Sequence, residues 1–220
     1  MRVGIIGAGS IGGNAARLLA AADHEVKLSF ARDRSKLEML ASEIGARVSV
    51  GTPAEAVAFG KVVIFSVPWD AIPVALEQAG DLSGKIVIDT TNQFGSGAKP
   101  DANETAARFN GARMRGARYT KSFNTLTAGF QAKAAGRKGP DGVVQWICGD
   151  DADAKRVVAT LVEDAGFAPV DLGGTDACAV MEAPRRPGAV YGEEYHVEDA
   201  RIVVEAVRAG HPIPPTPRYG

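Results

Sequence analysis

The chain has 220 residues, 45% of them apolar and 23% charged, with a formal net charge of -1. Those values suit a soluble globular protein of one large domain, with room for a small appendage, and nothing in them points to nucleic acid or an anionic membrane. The two cysteines, Cys148 and Cys178, fall in predicted buried positions and read as small core residues of a reducing compartment. No C-x-x-C or His/Cys cluster suggests a metal, and no apolar run approaches the roughly 18 residues that span a bilayer.

The chain opens on a short apolar run, Val3 to Ile6, which predicts a buried strand. Gly7-Ala8-Gly9-Ser10-Ile11-Gly12 follows, a match to G-x-G-x-x-G, and a helix is expected over residues 14–22. Gly7 permits the tight turn, Gly9 lets the backbone approach a pyrophosphate, and Gly12 lets the helix pack on the sheet. The helix start offers backbone N–H groups to phosphates. A glycine-rich turn that binds nothing is the plainer alternative. The flanking strand and helix, at the head of an alternating α/β chain, favour the dinucleotide reading. Because this strand lies at the N-terminus, no signal peptide is expected and a cytoplasmic protein is.

A second strand is predicted over residues 25–30. Where an NAD-binding unit places an acid after this strand, the chain has Ala31-Arg32-Asp33-Arg34-Ser35-Lys36. Arg32 and Lys36 suit a dianionic 2′-phosphate and point to NADP(H). The bland alternative is a solvated helix start, and it is preferred for Arg34 taken alone. A helix is expected over 37–44 and a strand over 47–50. Thr52-Pro53-Ala54-Glu55 carries an N-cap, Pro at the first helical position and a first-turn acid, opening a helix to residue 59. Residues 61–67 form an apolar strand ending at Ser66-Val67-Pro68-Trp69. Residues 70–79 are helical, with Pro73 in the first turn. A fifth strand over 85–89 runs into Thr90-Thr91-Asn92-Gln93-Phe94-Gly95 at a strand's C-terminal end, where ligands bind in open α/β sheets. Asn92 is either a ligand contact or an ordinary Asx turn.

Further on, a loop over 95–100 and a helix over 102–109 precede a strand over 118–122. Lys121 there either pairs a carboxylate or meets a ligand. Phe123-Asn124-Thr125 leads into a helix to residue 135, followed by a flexible basic loop over 136–142. A strand over 143–148, a helix over 150–165 ended by Gly166 and a strand over 167–172 come next, and a helix is expected from Thr175 to Glu182. Residues 184–192 are irregular and contain Arg185-Arg186. A helix with an apolar stripe spans 197–208, and a Pro-rich tail follows. The whole predicts a Rossmann-like, doubly wound α/β fold with a mostly parallel sheet and a small C-terminal helical extension. The NAD(P)-binding domain takes residues 1–182, its nucleotide-binding half about 1–125, and residues 183–220 form the extension.

Gly7 to Gly12, Ser66-Val67-Pro68-Trp69, Ile88-Asp89-Thr90-Thr91-Asn92, Lys121-Ser122-Phe123-Asn124-Thr125 and Cys148-Gly149-Asp150-Asp151 stand in the order and spacing of one family. In that combination, over most of residues 1–182, the chain resembles the NADPH-dependent oxidoreductases of the deazaflavin coenzyme F420. The resemblance implies a homodimer joined through the C-terminal region, with NADPH across the strand ends. It implies that Gly7, Ala8, Gly9, Ser10, Ile11 and Gly12 hold the pyrophosphate. Arg32 and Lys36 would hold the 2′-phosphate, and Ser66, Val67 and Pro68 the ribose side. Asn92 and the turn carrying Thr125 would lie toward the nicotinamide. Hydride would pass between nicotinamide and a stacked deazaflavin, F420 being the substrate.

Such a transfer needs little from side chains, so no catalytic residue is assigned. An imine or carbonyl reductase would need a proton donor, and Tyr191, Tyr195 and His196 are the candidates. His24 and His211 read as structural or solvated, and His196 as part of a surface turn. A non-enzymatic NADP(H)-sensing module is the third reading. The expected partner is a small-molecule hydride acceptor, with no nucleic acid, membrane or metal.

Overall fold

The computed structural model describes residues 1–184 and 188–219. The Arg185-Arg186 pair lies outside the described residues. Among those described, eight strands form one sheet in the order β3-β2-β1-β4-β5-β6-β7-β8. The strands are β1 (Arg2–Ile6), β2 (Glu25–Ser29), β3 (Val48–Val50), β4 (Val62–Phe65), β5 (Ile86–Asp89), β6 (Arg118–Lys121), β7 (Val144–Cys148) and β8 (Ala168–Gly173). All neighbours run parallel except β6 and β7, which meet antiparallel at the Lys121–Cys148 pair. The fold is the expected Rossmann-like, mostly parallel α/β arrangement.

The helices are α1 (Ser10–Ala21), α2 (Arg34–Ile44), α3 (Pro53–Phe59), α4 (Ile72–Ala79), α5 (Ala106–Arg113), α6 (Ala128–Ala134), α7 (Ala152–Asp164) and α8 (Val197–Arg208). They cover both faces of the sheet. Val3 and Ile5 of β1 pack with Leu19 of α1 and Val158 of α7 in one apolar layer. Ile6 and Phe65 face the other layer, with Ala75 of α4 and Val203 of α8. Alternate residues of a strand point to opposite faces, so a strand covered on both sides reads as a near-continuous apolar run. β4 and β5 are accordingly buried along their whole length.

Several helix ends differ from the sequence expectation, each for a local reason. α1 starts at Ser10, four residues early, because Gly9 is already extended and its carbonyl accepts from Gly13 at 2.8 Å. α2 starts at Arg34, because the Asp33 carboxylate accepts from the Ser35 N–H at 2.9 Å. α3 begins as expected, with Thr52 and Glu55 closing a reciprocal cap. The helix expected over 102–109 lies instead at 106–113, where Thr105 caps its start and Glu182 accepts from the N–H groups of Ala106 and Ala107, each at 2.8 Å. Residues 122–126 form a turn with Phe123 at φ 58, and α6 waits for Thr127, whose hydroxyl accepts from Phe130. The expected helix from Thr175 to Glu182 shrinks to a single 3₁₀ turn, Ala177–Val180. Asp150 takes both the N–H and hydroxyl of Thr175, and Asn124 takes the carbonyl of Met181 at 2.6 Å.

The C-terminal extension packs back onto this sheet. Ala200 and Val203 of α8 are fully buried, and Val197, Val204 and Val207 pack beside them, so this chain covers its own apolar stripe. No helix among the described residues is long and apolar enough to cross a membrane.

Candidate functional site

The strand order reverses between β1 and β4, since β1 connects outward to β2 and the chain then returns to β4 on the other side. Crossovers leave this junction in opposite directions, which opens a crevice at the C-terminal strand ends. A cleft of about 430 Å³ lies there. Larger hollows of about 770 and 660 Å³ lie against α5 and α8, but neither borders the glycine turn.

The three glycines meet different surroundings. Gly7 has φ +99, and a Cβ there would stand 2.2 Å from the Ser66 carbonyl oxygen. A Cβ on Gly12 would stand 2.0 Å from the Gly7 oxygen. A Cβ on Gly9 would have no heavy atom within 4 Å, so the space above it is open. No side chain caps α1 and no acid lies in its first turn. Asp33, Thr52, Thr105, Thr127 and Asp151 cap α2, α3, α5, α6 and α7, while α4 and α8 share the absence of a side-chain cap but do not start at the glycine turn. The first-turn N–H groups of α1 therefore face an open space suited to a phosphate. These residues fit a dinucleotide, judged by the open approach at Gly9 and the bare helix start.

Gly9, Ser10, Ile11, Ser66, Val67, Pro68 and Asn92 border the cleft. Gly7, Ala8 and Gly12 form the turn beneath it. Arg32 and Lys36 stand apart, both exposed, after β2. The Gly7 N–H donates to the Ser29 carbonyl at 3.0 Å, which sets the end of β2 beside the turn. Arg34 is occupied by Glu38 at 3.0 Å, whereas Arg32 makes no hydrogen bond or ion pair among the described residues. Thr125 is buried behind the wall, its hydroxyl unpartnered among the described residues, while Asn124, Leu126 and Thr127 take the surface. Sequence reasoning missed Leu126, Thr127 and Ala128. The signal was available in Thr127, a hydroxyl residue placed to cap the helix that follows.

The cleft floor is tied by polar groups. The Thr90 hydroxyl donates to the Ser66 hydroxyl at 2.9 Å. Asn92 donates to the Asn124 carbonyl at 2.9 Å and accepts from the Ala183 N–H at 3.1 Å, so it joins the β5 end to the β6 turn and the C-terminal extension. Beneath it lies a buried network. Asp89 accepts from the Thr91 N–H at 2.7 Å, the Tyr119 hydroxyl at 2.6 Å and Asn110 at 3.0 Å. Lys121, fully buried, pairs with Asp89 at 3.5 Å and donates to the Thr91 carbonyl at 2.7 Å. Lys121 thus pairs a carboxylate. Burial pushes the Tyr119 hydroxyl well above its ordinary pKa, with the Asp89 charge adding to it, so Tyr119 remains a donor. Burial also raises the Glu182 carboxyl.

The proton-donor candidates separate by position. Tyr191 borders the cleft. Tyr195 is buried edge-on against Trp146 with centroids 5.3 Å apart. His196 pairs with Glu194 at 3.0 Å and stacks on Tyr219 at 3.8 Å. His24 is structural, bound to Asp164 at 2.9 Å, and His211 is exposed. Both cysteines are buried and unbridged, and burial raises the Cys178 thiol. No group of His, Cys, Asp and Glu among the described residues could hold a metal.

Residues 2–93 match the family model described as NADP oxidoreductase coenzyme F420-dependent. Over 182 residues the chain is 25% identical to the metalloreductase STEAP3 of Rattus norvegicus, covering 83% of this chain and 36% of that protein. The chain therefore spans little more than a third of that relative's length. Among solved structures, a hypothetical protein of Sinorhizobium meliloti is 30% identical with a TM-score of 0.76, covering 90% of this chain and 95% of that one. An Arthrobacter sp. FB24 protein inferred to be an F420-dependent NADP-reductase is 25% identical with a TM-score of 0.68, covering 81% and 87%. A reductive aminase from Aspergillus terreus in complex with NADPH and ethyl levulinate shares the fold, at 22% identity and a TM-score of 0.61, covering 81% and 56%.

Proposed function

We propose that the chain, whose residues 2–93 match the model of the F420-dependent NADP oxidoreductases, acts as a member of that family and passes hydride between NADP(H) and a deazaflavin or flavin-like ring. The observation that carries the reading is the open, uncapped start of α1 over Gly9, at the point where strand order reverses. The α1 N–H groups hold the pyrophosphate. Arg32, free of protein partners among the described residues, and Lys36 take the 2′-phosphate. Ser66, Val67 and Pro68 line the ribose side, and Asn92 and the turn carrying Thr125 frame the nicotinamide end. When bound, the cofactor supplies the hydride. The protein orients the two rings and excludes water, which is most of what such a transfer requires. Residues 1–182 form the NADP(H) domain, and 183–220 close it and join two copies.

NADPH should bind at least about tenfold tighter than NADH, equivalent to 1.4 kcal/mol. Arg32→Ala should erase most of that preference while leaving NADH affinity unchanged, as read by calorimetric titration. Equal affinities in the parent protein would remove the NADP(H) assignment. For the acceptor, stopped-flow mixing of protein, NADPH and oxidised F420 should bleach the deazaflavin at a rate proportional to protein. One observation favours a second reading, reduction of an imine or carbonyl: Tyr191 borders the cleft with a neutral hydroxyl able to give a proton. NADPH oxidation by those compounds without deazaflavin bleaching would select it. Tight NADPH binding with no turnover of any acceptor would select a sensor.

A further inference from the structure

Beside Trp69, the rings of Phe94 and Tyr191 reach the cleft from opposite halves of the chain. Phe94 follows β5 and is 56% exposed. Tyr191 belongs to the C-terminal extension and is half-buried. Both border the cleft, with ring centroids 6.2 Å apart and planes inclined by 56°. Neither ring belongs to the two apolar layers of the core. The Tyr191 hydroxyl makes no hydrogen bond among the described residues. Partial burial raises its pKa, so it is an O–H donor at neutral pH.

The placement of both rings is held by backbone. The Val190 N–H donates to the Val180 carbonyl at 2.7 Å, and the Gly192 N–H to the Thr125 carbonyl at 2.8 Å, fixing the chain on either side of Tyr191. The Phe94 N–H donates to the Asn92 carbonyl at 2.8 Å, and the Asn92 side chain accepts from Ala183 at 3.1 Å. Asn92 thus ties both ring-bearing segments together. A preformed apolar wall with one convergent donor is what a partly apolar ligand requires. Aromatic faces meet other rings in offset or edge contacts. A compact imine or carbonyl compound would leave the Phe94 face in water.

We propose that Phe94 and Tyr191 determine specificity for the hydride acceptor. Phe94 packs on a planar, flavin-sized ring, and the Tyr191 hydroxyl donates to a carbonyl oxygen or ring nitrogen on its edge. The proposal rests on the reading of the cleft as the NADP(H) site, and the two are tested separately.

Protein saturated with NADP⁺ is titrated with oxidised F420 and with FMN, following ring fluorescence. NADPH affinity is measured independently by calorimetry. The parent protein should bind at least one of the rings. Phe94→Ala should weaken ring binding about tenfold or more, and Tyr191→Phe about threefold, the effect of one net hydrogen bond. Both variants should bind NADPH as the parent does and melt at the parent's temperature, since neither ring is part of the core. Parent protein that binds NADPH but neither ring overturns the proposal, as do variants with unchanged ring affinity. Equal losses for ring and NADPH in both variants would make the two residues cofactor contacts and overturn it as well. Failure of the parent protein to bind NADPH removes the underlying reading, and the proposal with it, a result distinct from loss of the ring alone.

Discussion

Gly9 and Gly12 stand in one turn and face opposite constraints. At Gly9 a side chain meets open space, so Gly9→Val leaves the fold intact and fills the volume a pyrophosphate needs. NADPH binding should vanish in a calorimetric titration while the melting temperature stays unchanged. At Gly12 a Cβ would lie 2.0 Å from the Gly7 oxygen, so Gly12→Ala must push backbone apart. Overpacking of that kind costs about 1–3 kcal/mol, and a chain of this size loses about 2–4 °C in Tm per kcal/mol. A Gly9→Val protein that binds NADPH normally would make Gly9 a mere turn residue. At this scale the sequence was informative, because each glycine's task follows from the strand–turn–helix pattern. It offered Tyr191 as a candidate proton donor, but the neighbours of Tyr191 in sequence say nothing of its meeting with Phe94 at the cleft.

Among the elements, α7 shows how one side chain serves two structures. Asp151 caps the helix by accepting from the Ala154 N–H at 2.9 Å and pairs with Arg118 of β6 at 2.6 Å. The Arg118 hydrogen bond, then the Ala154 N–H, holds its carboxyl far below the usual range. A depressed folded pKa stabilises the protein above the unfolded value, about 3.9, and the contribution is lost as pH falls through the folded value. Asn is an equally good cap, so Asp151→Asn isolates the charge. The variant should melt below the parent at pH 7, and the gap should close on acidification below about pH 4. A gap that persists in acid would assign the effect to the cap. The start of α3, with its reciprocal Thr52–Glu55 cap and Pro53, was legible in the sequence. The start of α5 was displaced because Glu182, distant in sequence, supplies acceptors for its first N–H groups.

At the scale of the whole molecule, the cleft assembles from the ends of β1, β4, β5 and β6 and is closed by residues of the C-terminal extension. The same extension is where a homodimer would form. The apolar stripe of α8 is spent on this chain's own sheet, which leaves Ile202, 54% exposed, on the outward side of the helix. If two copies join there, light scattering at micromolar concentration should give twice the chain mass, and Ile202→Glu should halve it. A monomeric mass for the parent protein would remove the homodimer from the proposed function.

What the sequence by itself determined were the features with local causes. The central strand β4 is apolar throughout and reads as covered on both faces, the glycine turn is marked by steric need, and Thr52 and Pro53 announce a helix within four residues. The missing acid after Phe30 is likewise a local fact. Only the tertiary structure decided where Lys121 sends its charge, which of Tyr191, Tyr195 and His196 borders the cleft, and why residues 175–182 abandon a helix. Each of those outcomes depends on partners far away along the chain: Asp89 for Lys121, Trp146 for Tyr195, Asp150 and Asn124 for the broken helix. Periodicity and capping patterns report on neighbours within a few residues. A buried ion pair or a ring in a cleft is selected by which distant groups the sheet order brings within about 3 Å.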